Sequence, residues 1–340
     1  MKIIITGGAG YIGSHTAVEA IRAGHEVVIL DSLINSSKEN LERIRKASGT
    51  RPLFCEVSLL ENPLDIYDTF GEHLFGADAL IHFAALKSAP ESVDNPLGYY
   101  RNNIDSLFSA IRISEILKIR NFIFSSSATV YGDPEFLPIT EEHPIKRGNT
   151  PYGTTKVMGE WILEDATRIK QMKSVALRYF NPAGADWSLD IGEMPLGRPS
   201  NLVPVLTQTA AGVLEKLTIT GTDFPTPDGS AIRDYIHVTD LAKAHLASLD
   251  WLRKQDYHTF GYFNLGTGKG TSVSEMVNLF DAEIAPGVLN YEEGPRRPGD
   301  AAEVWCDPSK AERILGWKAE LGIKDILSSA WDWEKKIRGI

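Results

Sequence analysis

An α/β fold is predicted by three features of the sequence. Short β-branched strands alternate with helical segments through residues 1–180, a glycine-rich turn follows the first strand directly, and a Tyr-x-x-x-Lys pair opens a later helix. Together they describe a Rossmann-like doubly wound parallel sheet over residues 1–180 and a smaller mixed α/β substrate-binding lobe over 181–340. Part of 231–265 is expected to return to the first unit.

Lys2-Ile3-Ile4-Ile5-Thr6 is short and apolar, the pattern of a buried parallel strand. Gly7-Gly8-Ala9-Gly10-Tyr11-Ile12-Gly13 follows, then a helical pattern from Ser14 to about Ala23. Gly7, Gly10 and Gly13 suit a tight turn, close approach to a pyrophosphate and close helix–strand packing, with the phosphates at the helix N-terminus. Glu26-Val27-Val28-Ile29-Leu30 is a second strand ending at Asp31. A carboxylate there accepts hydrogen bonds from ribose hydroxyls and repels a 2′-phosphate, which favours NAD over NADP. Glycine turns, and an aspartate before Asn35-Ser36-Ser37, are also ordinary loop chemistry; the strand before and the helix after carry the dinucleotide reading.

Further strands are legible at Leu53–Val57, Ala79–Phe83, Asn121–Ser125 and Ser174–Phe180. Helical patterns lie between them at about Lys38–Lys46, Pro63–Phe75, Pro96–Ile119 and Pro151–Ile169. Doubly wound sheets bind ligands at the carboxyl ends of their strands. Phe83-Ala84-Ala85-Leu86-Lys87 lies at one such end, with small residues that admit a cofactor and a lysine that can meet phosphate or sugar oxygens; His82 beside it reads as packing. Ser125-Ser126-Ser127-Ala128-Thr129-Val130-Tyr131-Gly132 sets hydroxyls at another.

Thr150 can cap the next helix, and Pro151 suits its first position. Tyr152 and Lys156 then lie four apart on one face. A phenol with a pKa of about 10 carries protons usefully only if that value falls, and bringing it near 7 takes roughly 4 kcal/mol. A neighbouring ammonium and a cationic nicotinamide are expected to supply the shift. Alone, the pair is more often a core tyrosine beside a solvated lysine; the upstream dinucleotide pattern and the serine run reverse that.

After Phe180-Asn181-Pro182, glycine and proline become frequent up to about Gly229. Asp186–Pro199 is expected to be a mobile loop. Arg233–Val238 and the helix after Asp240 are expected to return partly to the first unit, and helices at about Ser272–Asp281, Pro308–Leu315 and Ile323–Lys336 complete the lobe.

The chain has 340 residues, 43% hydrophobic and 24% charged, ordinary values for a globular protein. Its net charge of −10 argues against nucleic acid or an anionic membrane as partner, though not against an anionic small substrate met by local arginines. Cys55 and Cys306 make no disulfide framework and fit a reducing cytosol; Met1-Lys2 leads straight into a strand, so no signal peptide and a cytoplasmic location are expected. The eight histidines show no metal-ligand spacing, so no metal is expected; His237 and His245, eight apart, could share a helix face but lack a third ligand.

With these residues in place, the chain resembles the extended short-chain dehydrogenase/reductases and, within them, the UDP-glucose 4-epimerase family. The resemblance runs from Met1 to about Ala330. It is carried by Thr6–Thr16, Ile81–Lys87, Phe122–Gly132, Pro151–Lys156, Leu177-Arg178-Tyr179-Phe180-Asn181-Pro182, Arg233–Val238 and Pro295-Arg296-Arg297-Pro298-Gly299-Asp300. It implies that Tyr152, Lys156 and Ser127 are catalytic. It implies cofactor contacts from Gly7, Gly10, Tyr11, Ile12, Gly13, Asp31, Asn35, Ser36, Ser58, Leu59, Phe83, Ala84, Lys87, Asn102 and Phe180, joined by Tyr152 and Lys156. Around the nucleotide sugar it implies Lys87, Ser127, Ala128, Tyr152, Asn181, Asn201, Leu202, Thr218, Thr220, Arg233, Arg297, Asp300 and Val304. Ser58 departs from the family's usual aspartate, which puts the adenine contact in doubt.

The implied activity is interconversion of UDP-glucose and UDP-galactose through a 4-ketose, with NAD as cofactor and a homodimer as the assembly. Small Val304 stands where some members carry tyrosine, so UDP-N-acetylglucosamine and UDP-N-acetylgalactosamine are expected substrates as well. Competing readings are a nucleotide-sugar 4,6-dehydratase, a net oxidoreductase and a non-enzymatic dinucleotide sensor. The dehydratase is disfavoured because Ser127-Ala128-Thr129 offers no carboxylate, and the sensor because Tyr152 and Lys156 are both kept.

Overall fold

The structure is a computed structural model that describes residues 1–297 and 299–340. Pro298, within the Pro295–Asp300 signature, lies outside the described residues. In chain order the first elements are β1 (Lys2–Thr6), α1 (Tyr11–Arg22), β2 (Glu26–Asp31), α2 (Glu39–Ser48), β3 (Leu53–Glu56), α3 (Pro63–Leu74) and β4 (Ala79–His82). Next come α4 (Ala89–Asp94), α5 (Pro96–Ile116), β5 (Asn121–Ser127), α6 (Pro151–Ile169) and β6 (Lys173–Tyr179). Then follow β7 (Asn181–Ala183), α7 (Leu202–Ala210), β8 (Leu217–Thr220), β9 (Ile232–His237), α8 (Val238–Arg253) and β10 (Phe260–Leu265). The chain closes with β11 (Gly270–Ser272), α9 (Val273–Leu279), β12 (Tyr291–Gly294), β13 (Glu303–Val304), α10 (Ser309–Leu315) and α11 (Ile323–Arg338).

Seven strands form one parallel sheet in the order β10-β6-β5-β4-β1-β2-β3. The chain runs outward from β1 to β3, then restarts at β4 on the other side of β1. That reversal makes the β1/β4 edge a switch point, where a crevice opens beyond the carboxyl ends. Side-chain alternation builds a core on each face: Ile3 and Ile5 pack with Ala17, Val18 and Leu241, while Ile4 packs with Leu80, Leu107 and Leu163. Burying each such side chain contributes about 1.5–3 kcal/mol, which fixes the strand tips that carry the site.

A smaller sheet is built on β9, flanked by β11 and β13, with β7 also pairing β9; β8 and β12 form a separate pair. Leu206, Ile219, Tyr235, Met276 and Ile326 form its core. Of the segment expected to rejoin the first unit, α8 packs on α1 and β10 adds the seventh strand. Strand β9, by contrast, stays in the small sheet.

Three further differences have local causes. Helix α1 starts at Tyr11 because Gly10 takes the extended cap conformation. Helix α4 was not anticipated, although Ser88 caps it by accepting from the Glu91 N–H at 3.3 Å. Helix α5 ends at Ile116, just before Lys118 at φ 56°.

The 186–199 loop is anchored over its first half rather than free. Arg22 holds Asp186 with two bonds of 2.6 and 2.9 Å, Lys336 reaches Asp190 at 2.9 Å, and the Trp333 indole donates to the Glu193 carbonyl at 3.0 Å. The charges that suggested mobility are its anchors. Among the described residues no helix is long and apolar enough to cross a membrane.

Candidate active site

The glycine turn is packed to the limit of backbone contact. Gly7 has φ +66°, and a Cβ there would lie 2.7 Å from the Ala84 nitrogen; one on Gly13 would lie 2.4 Å from the Gly7 carbonyl oxygen. Gly10 caps α1 without a side-chain bond, and the first turn holds no acidic residue. Free N–H groups and the positive helix end therefore face the crevice, as an anion requires. Ile12 packs onto the core, and the Tyr11 hydroxyl donates to the Gly184 carbonyl at 2.7 Å, tying this helix to the second lobe.

Asp31 ends β2 and accepts from the N–H groups of Ala9 and Leu33 and from the Ser36 hydroxyl, each at 2.9 Å. A carboxylate has about four acceptor sites, so Asp31 would keep one for a ribose hydroxyl beside Ser36; Asn35 is exposed beside it. Ser58 accepts from the Leu60 N–H at 3.2 Å and so shapes a turn, while Leu59 is buried in the core. No carboxylate from residue 58 is available to an adenine. The cradle, the open helix end and Asp31 fit a dinucleotide with an unphosphorylated ribose.

Across the switch point, Phe83 packs on the His245 ring at 4.8 Å and the Ala84 N–H reaches Thr6 Oγ1 at 3.5 Å. His82 is buried, pairs with Thr6 at 2.8 Å and stacks on Phe124; burial pushes its pKa down to about 3, which makes it neutral packing. His237 and His245 do not meet. His237 caps α8 and reaches Ser329 at 3.1 Å, whereas His245 receives the Tyr179 hydroxyl at 2.7 Å.

Helix α6 starts as its sequence predicts. Thr150 Oγ1 accepts from the Gly153 N–H at 3.3 Å, and Pro151 opens the first turn. Tyr152 and Lys156 then face the tip of β5. Lys156 Nζ donates to the Ser125 carbonyl at 2.6 Å, and it lies 5.0 Å from the Phe124 ring centroid and 5.8 Å from that of Tyr152. Burial lowers the Lys156 pKa to about 8, with Glu160 pulling the other way. Burial raises the Tyr152 phenol to about 12, against the lowering effect of the Ser127 hydroxyl.

The fall expected of the phenol counts a nicotinamide cation as well as the ammonium, and the protein's own groups leave the phenol raised. The ammonium is committed to Ser125 and sits over ring faces, so desolvation outweighs it. A bound nicotinamide cation would add a charge that favours the phenolate.

Asn103 and Glu193 are residues that reasoning from sequence missed. Asn103 accepts from the Leu86 N–H at 2.8 Å and donates to Thr155 at 3.0 Å, so it links the loop after β4 to α6. Asn102, its predicted neighbour, donates to Asn103 at 3.0 Å. Glu193 Oε1 accepts from Asn201 at 3.0 Å and lies 3.5 Å from Lys87, joining a residue from each lobe at the mouth of the crevice.

The opposite wall comes from the second lobe. Arg233 on β9 is mostly buried, donates to the Ile232 carbonyl at 2.8 Å and lies 3.7 Å from Asp300; burial lowers its pKa. Arg297 is exposed and reaches the Ser200 carbonyl at 3.5 Å, so the two arginines are held by different partners. Val304 pairs with Arg233 across β13 and β9 and packs on a cluster containing Ala128 and Phe180. Asn181 pairs with Tyr235 in β7, and Leu202 opens α7 directly after Asn201. Thr218 and Thr220 are half-buried on β8, and the Thr218 hydroxyl turns to Glu292 at 3.4 Å.

The profile of the NAD dependent epimerase/dehydratase family matches residues 3–266. This chain belongs to that family. It is 47% identical over 336 residues to a UDP-glucose 4-epimerase of Yersinia enterocolitica, covering 98% of each chain. Among solved structures it resembles a UDP-glucose 4-epimerase of Stenotrophomonas maltophila bound to NAD and formylated UDP-arabinopyranose, with TM-score 0.94 and 42% identity over 100% of this chain and 99% of that one. It also resembles the UDP-Glc/GlcNAc 4-epimerase of Campylobacter jejuni, with TM-score 0.82 and 37% identity over 98% and 99% of the two chains.

Proposed function

We propose that this protein interconverts UDP-glucose and UDP-galactose at C4, with NAD held in the cradle between β1 and β4 and recycled in place. The observation that carries this is the grouping of Tyr152, Ser127 and Lys156 at the tip of β5, beside that cradle. Bound NAD supplies a hydride acceptor and donor at its nicotinamide. Tyr152 takes the proton of the sugar O4 as C4 is oxidised and returns it on re-reduction. Ser127 orients O4 and the phenol together, and Lys156 holds a positive charge against the phenol and toward the nicotinamide ribose. Arg233 and Arg297 meet the pyrophosphate of the nucleotide.

In this reading, residues 1–180 with α8 and β10 form the NAD unit, and 181–340 supply the nucleotide-sugar wall. A homodimer is proposed with it, supported by exposed Leu97 and Phe108 on one stripe of α5 and exposed Trp161 on α6. A cytoplasmic location is supported by Cys55 and Cys306, both free and buried. The dehydratase reading lacks its acid–base carboxylate at Ser127-Ala128-Thr129.

Purified protein incubated with UDP-galactose and no added cofactor is expected to yield UDP-glucose, and denaturation is expected to release NAD(H) with little NADP(H). Activity that needs added NADP, or net release of NADH, would sink the proposal.

A further inference from the structure

Behind the reacting face of α6 lies a buried charge pair with no part in the proton chemistry above. Arg178 on β6 is 1% exposed and Glu160 on α6 is 2% exposed. Arg178 donates from Nε to Glu160 Oε1 at 2.9 Å and from Nη2 to Oε2 at 2.6 Å. Its Nη1 donates to the Tyr131 hydroxyl at 2.9 Å, and that hydroxyl donates to Asn264 at 2.6 Å. The Ser126 hydroxyl donates to Glu160 Oε1 at 2.5 Å.

A buried pair of this kind is a poor source of stability, because taking both charges out of water roughly cancels their attraction. Its placement points to another use. Glu160 lies one helical turn after Lys156, so both face β5. Lys156 grips the carbonyl of Ser125 while Glu160 grips the hydroxyl of Ser126, the very next residue. Holding Ser126 against α6 fixes the backbone between Ser125, whose carbonyl takes Lys156, and Ser127, the last residue of β5. There the Ser127 hydroxyl lowers the pKa of the Tyr152 phenol against burial, and Ser125 does the same for Tyr179.

We propose that the Arg178–Glu160–Ser126 brace is a positioning device: it sets the tip of β5 so that Ser127 and the Ser125 carbonyl meet Tyr152 and Lys156, and it holds the Glu160 carboxylate one helical turn from Lys156, where its charge acts on the ammonium. This rests on Tyr152 and Lys156 being the reacting pair. The groups facing Lys156 support the electrostatic half. On its own helix these are Tyr152 and Glu160, and from β4 comes His82; behind Glu160 stands Arg178 on β6. Burial keeps His82 neutral, which leaves Glu160, with Arg178 as its counter-charge, as the ionised group beside Lys156. Glu160 raises the pKa of Lys156 against the effect of burial. Removing its charge therefore moves the loss of the ammonium, and with it the alkaline limb of kcat, to lower pH.

The test compares pH–rate profiles and thermal stability for wild type, Glu160→Gln, the double variant Glu160→Gln/Arg178→Met, Ser126→Ala and Tyr152→Phe. Glu160→Gln leaves Arg178 without a counter-charge and is expected to be destabilised; the double variant removes both charges and is expected to regain stability. Both are expected to show the alkaline limb of kcat lower by about one pH unit, with kcat down about tenfold and KM little changed. A double variant with wild-type stability, kcat and alkaline limb would reduce the pair to packing and overturn the proposal. Ser126→Ala keeps the ion pair and is expected to lose kcat several-fold with the limb unmoved. If both charge variants fail to fold, Ser126→Ala decides alone, and wild-type kcat from it overturns the brace. Tyr152→Phe separates the two levels: if it stays active, the assignment of the reacting pair fails, whereas an inactive Tyr152→Phe beside unaltered brace variants sinks only the brace.

Discussion

The two walls of the crevice are built differently. On the β5–α6 side, Lys156 is 4% exposed and its ammonium is tied to a strand carbonyl, all within regular elements. On the opposite side, Asn201, Arg297 and Asp300 are exposed on loops, and only Arg233 and Val304 sit in strands. Proton transfer tolerates little misplacement, and rigid elements hold side chains more exactly than loops do. Gripping a nucleotide sugar tolerates more. Damage to the first wall should therefore appear in kcat, and damage to the second in KM or in the choice of sugar.

The largest effect expected from this division is Tyr152→Phe, with a kcat loss of about three orders of magnitude or more. Its counterpart, Arg233→Met, is expected to raise KM for the UDP-sugar roughly tenfold to a hundredfold, with kcat largely kept at saturation. Steady-state kinetics on the two proteins would break the comparison if the arginine variant lost mainly kcat.

Two glycines sharpen it in stability. A methyl on Gly13 would press on the Gly7 carbonyl at 2.4 Å, and backbone cannot step aside, so Gly13→Ala is expected to lose bound NAD and about 2–4 kcal/mol. Gly197 on the other wall has φ +85° with nothing within 4 Å of a Cβ, so Gly197→Ala is expected to cost only about 1 kcal/mol. Urea midpoints and released nucleotide measure both.

Acid should weaken both walls together. Burial lowers His82 to about 3 and His15, His237 and His245 to about 4. Unfolded, each histidine takes up a proton near pH 6.5, whereas the folded protein does not until far lower pH. The stability is present above about pH 6.5 and drains away as pH falls toward 4, by about 2–3 kcal/mol for each histidine. Urea midpoints should fall steadily over that window. A flat midpoint would mean that these imidazoles are not held neutral.

The same contrast governs what could be read from the sequence. The first wall is legible because its signals are local: a strand followed by glycines, a Thr-Pro helix start, and Tyr and Lys one turn apart. Ile232–His237 and Phe260–Leu265 both look like strands, but which sheet each joins is decided by partners far along the chain. Asn103 and Glu193 escaped notice for the same reason, since Thr155 is 52 residues from Asn103 and Lys87 is 106 from Glu193. At the Tyr152 phenol, neighbouring charges can be read from spacing, while the burial that opposes them is a property of the packed site.

The smallest change expected, and the most selective, is on the second wall. Val304 is half-buried beside Arg233 and packs on the cluster that holds Ala128 and Phe180, so it lies between Arg233 and the turn after β5. Tyrosine there adds a ring to packed surroundings, and close-packed atoms yield little. An unmodified hexose still turns over in the remaining space, but a 2-acetamido group loses the volume it needs as the ketose rotates. Wild type is therefore expected to act on UDP-N-acetylglucosamine and UDP-N-acetylgalactosamine as well as on the unacetylated pair. Val304→Tyr is expected to lower kcat/KM for the acetylated sugars by about tenfold to a hundredfold while leaving UDP-galactose within a few-fold of wild type. The check is kcat/KM for both pairs in both proteins. Acetylated turnover that is missing from wild type, or that persists in Val304→Tyr, would move the control of sugar choice away from this residue and onto the neighbouring loops.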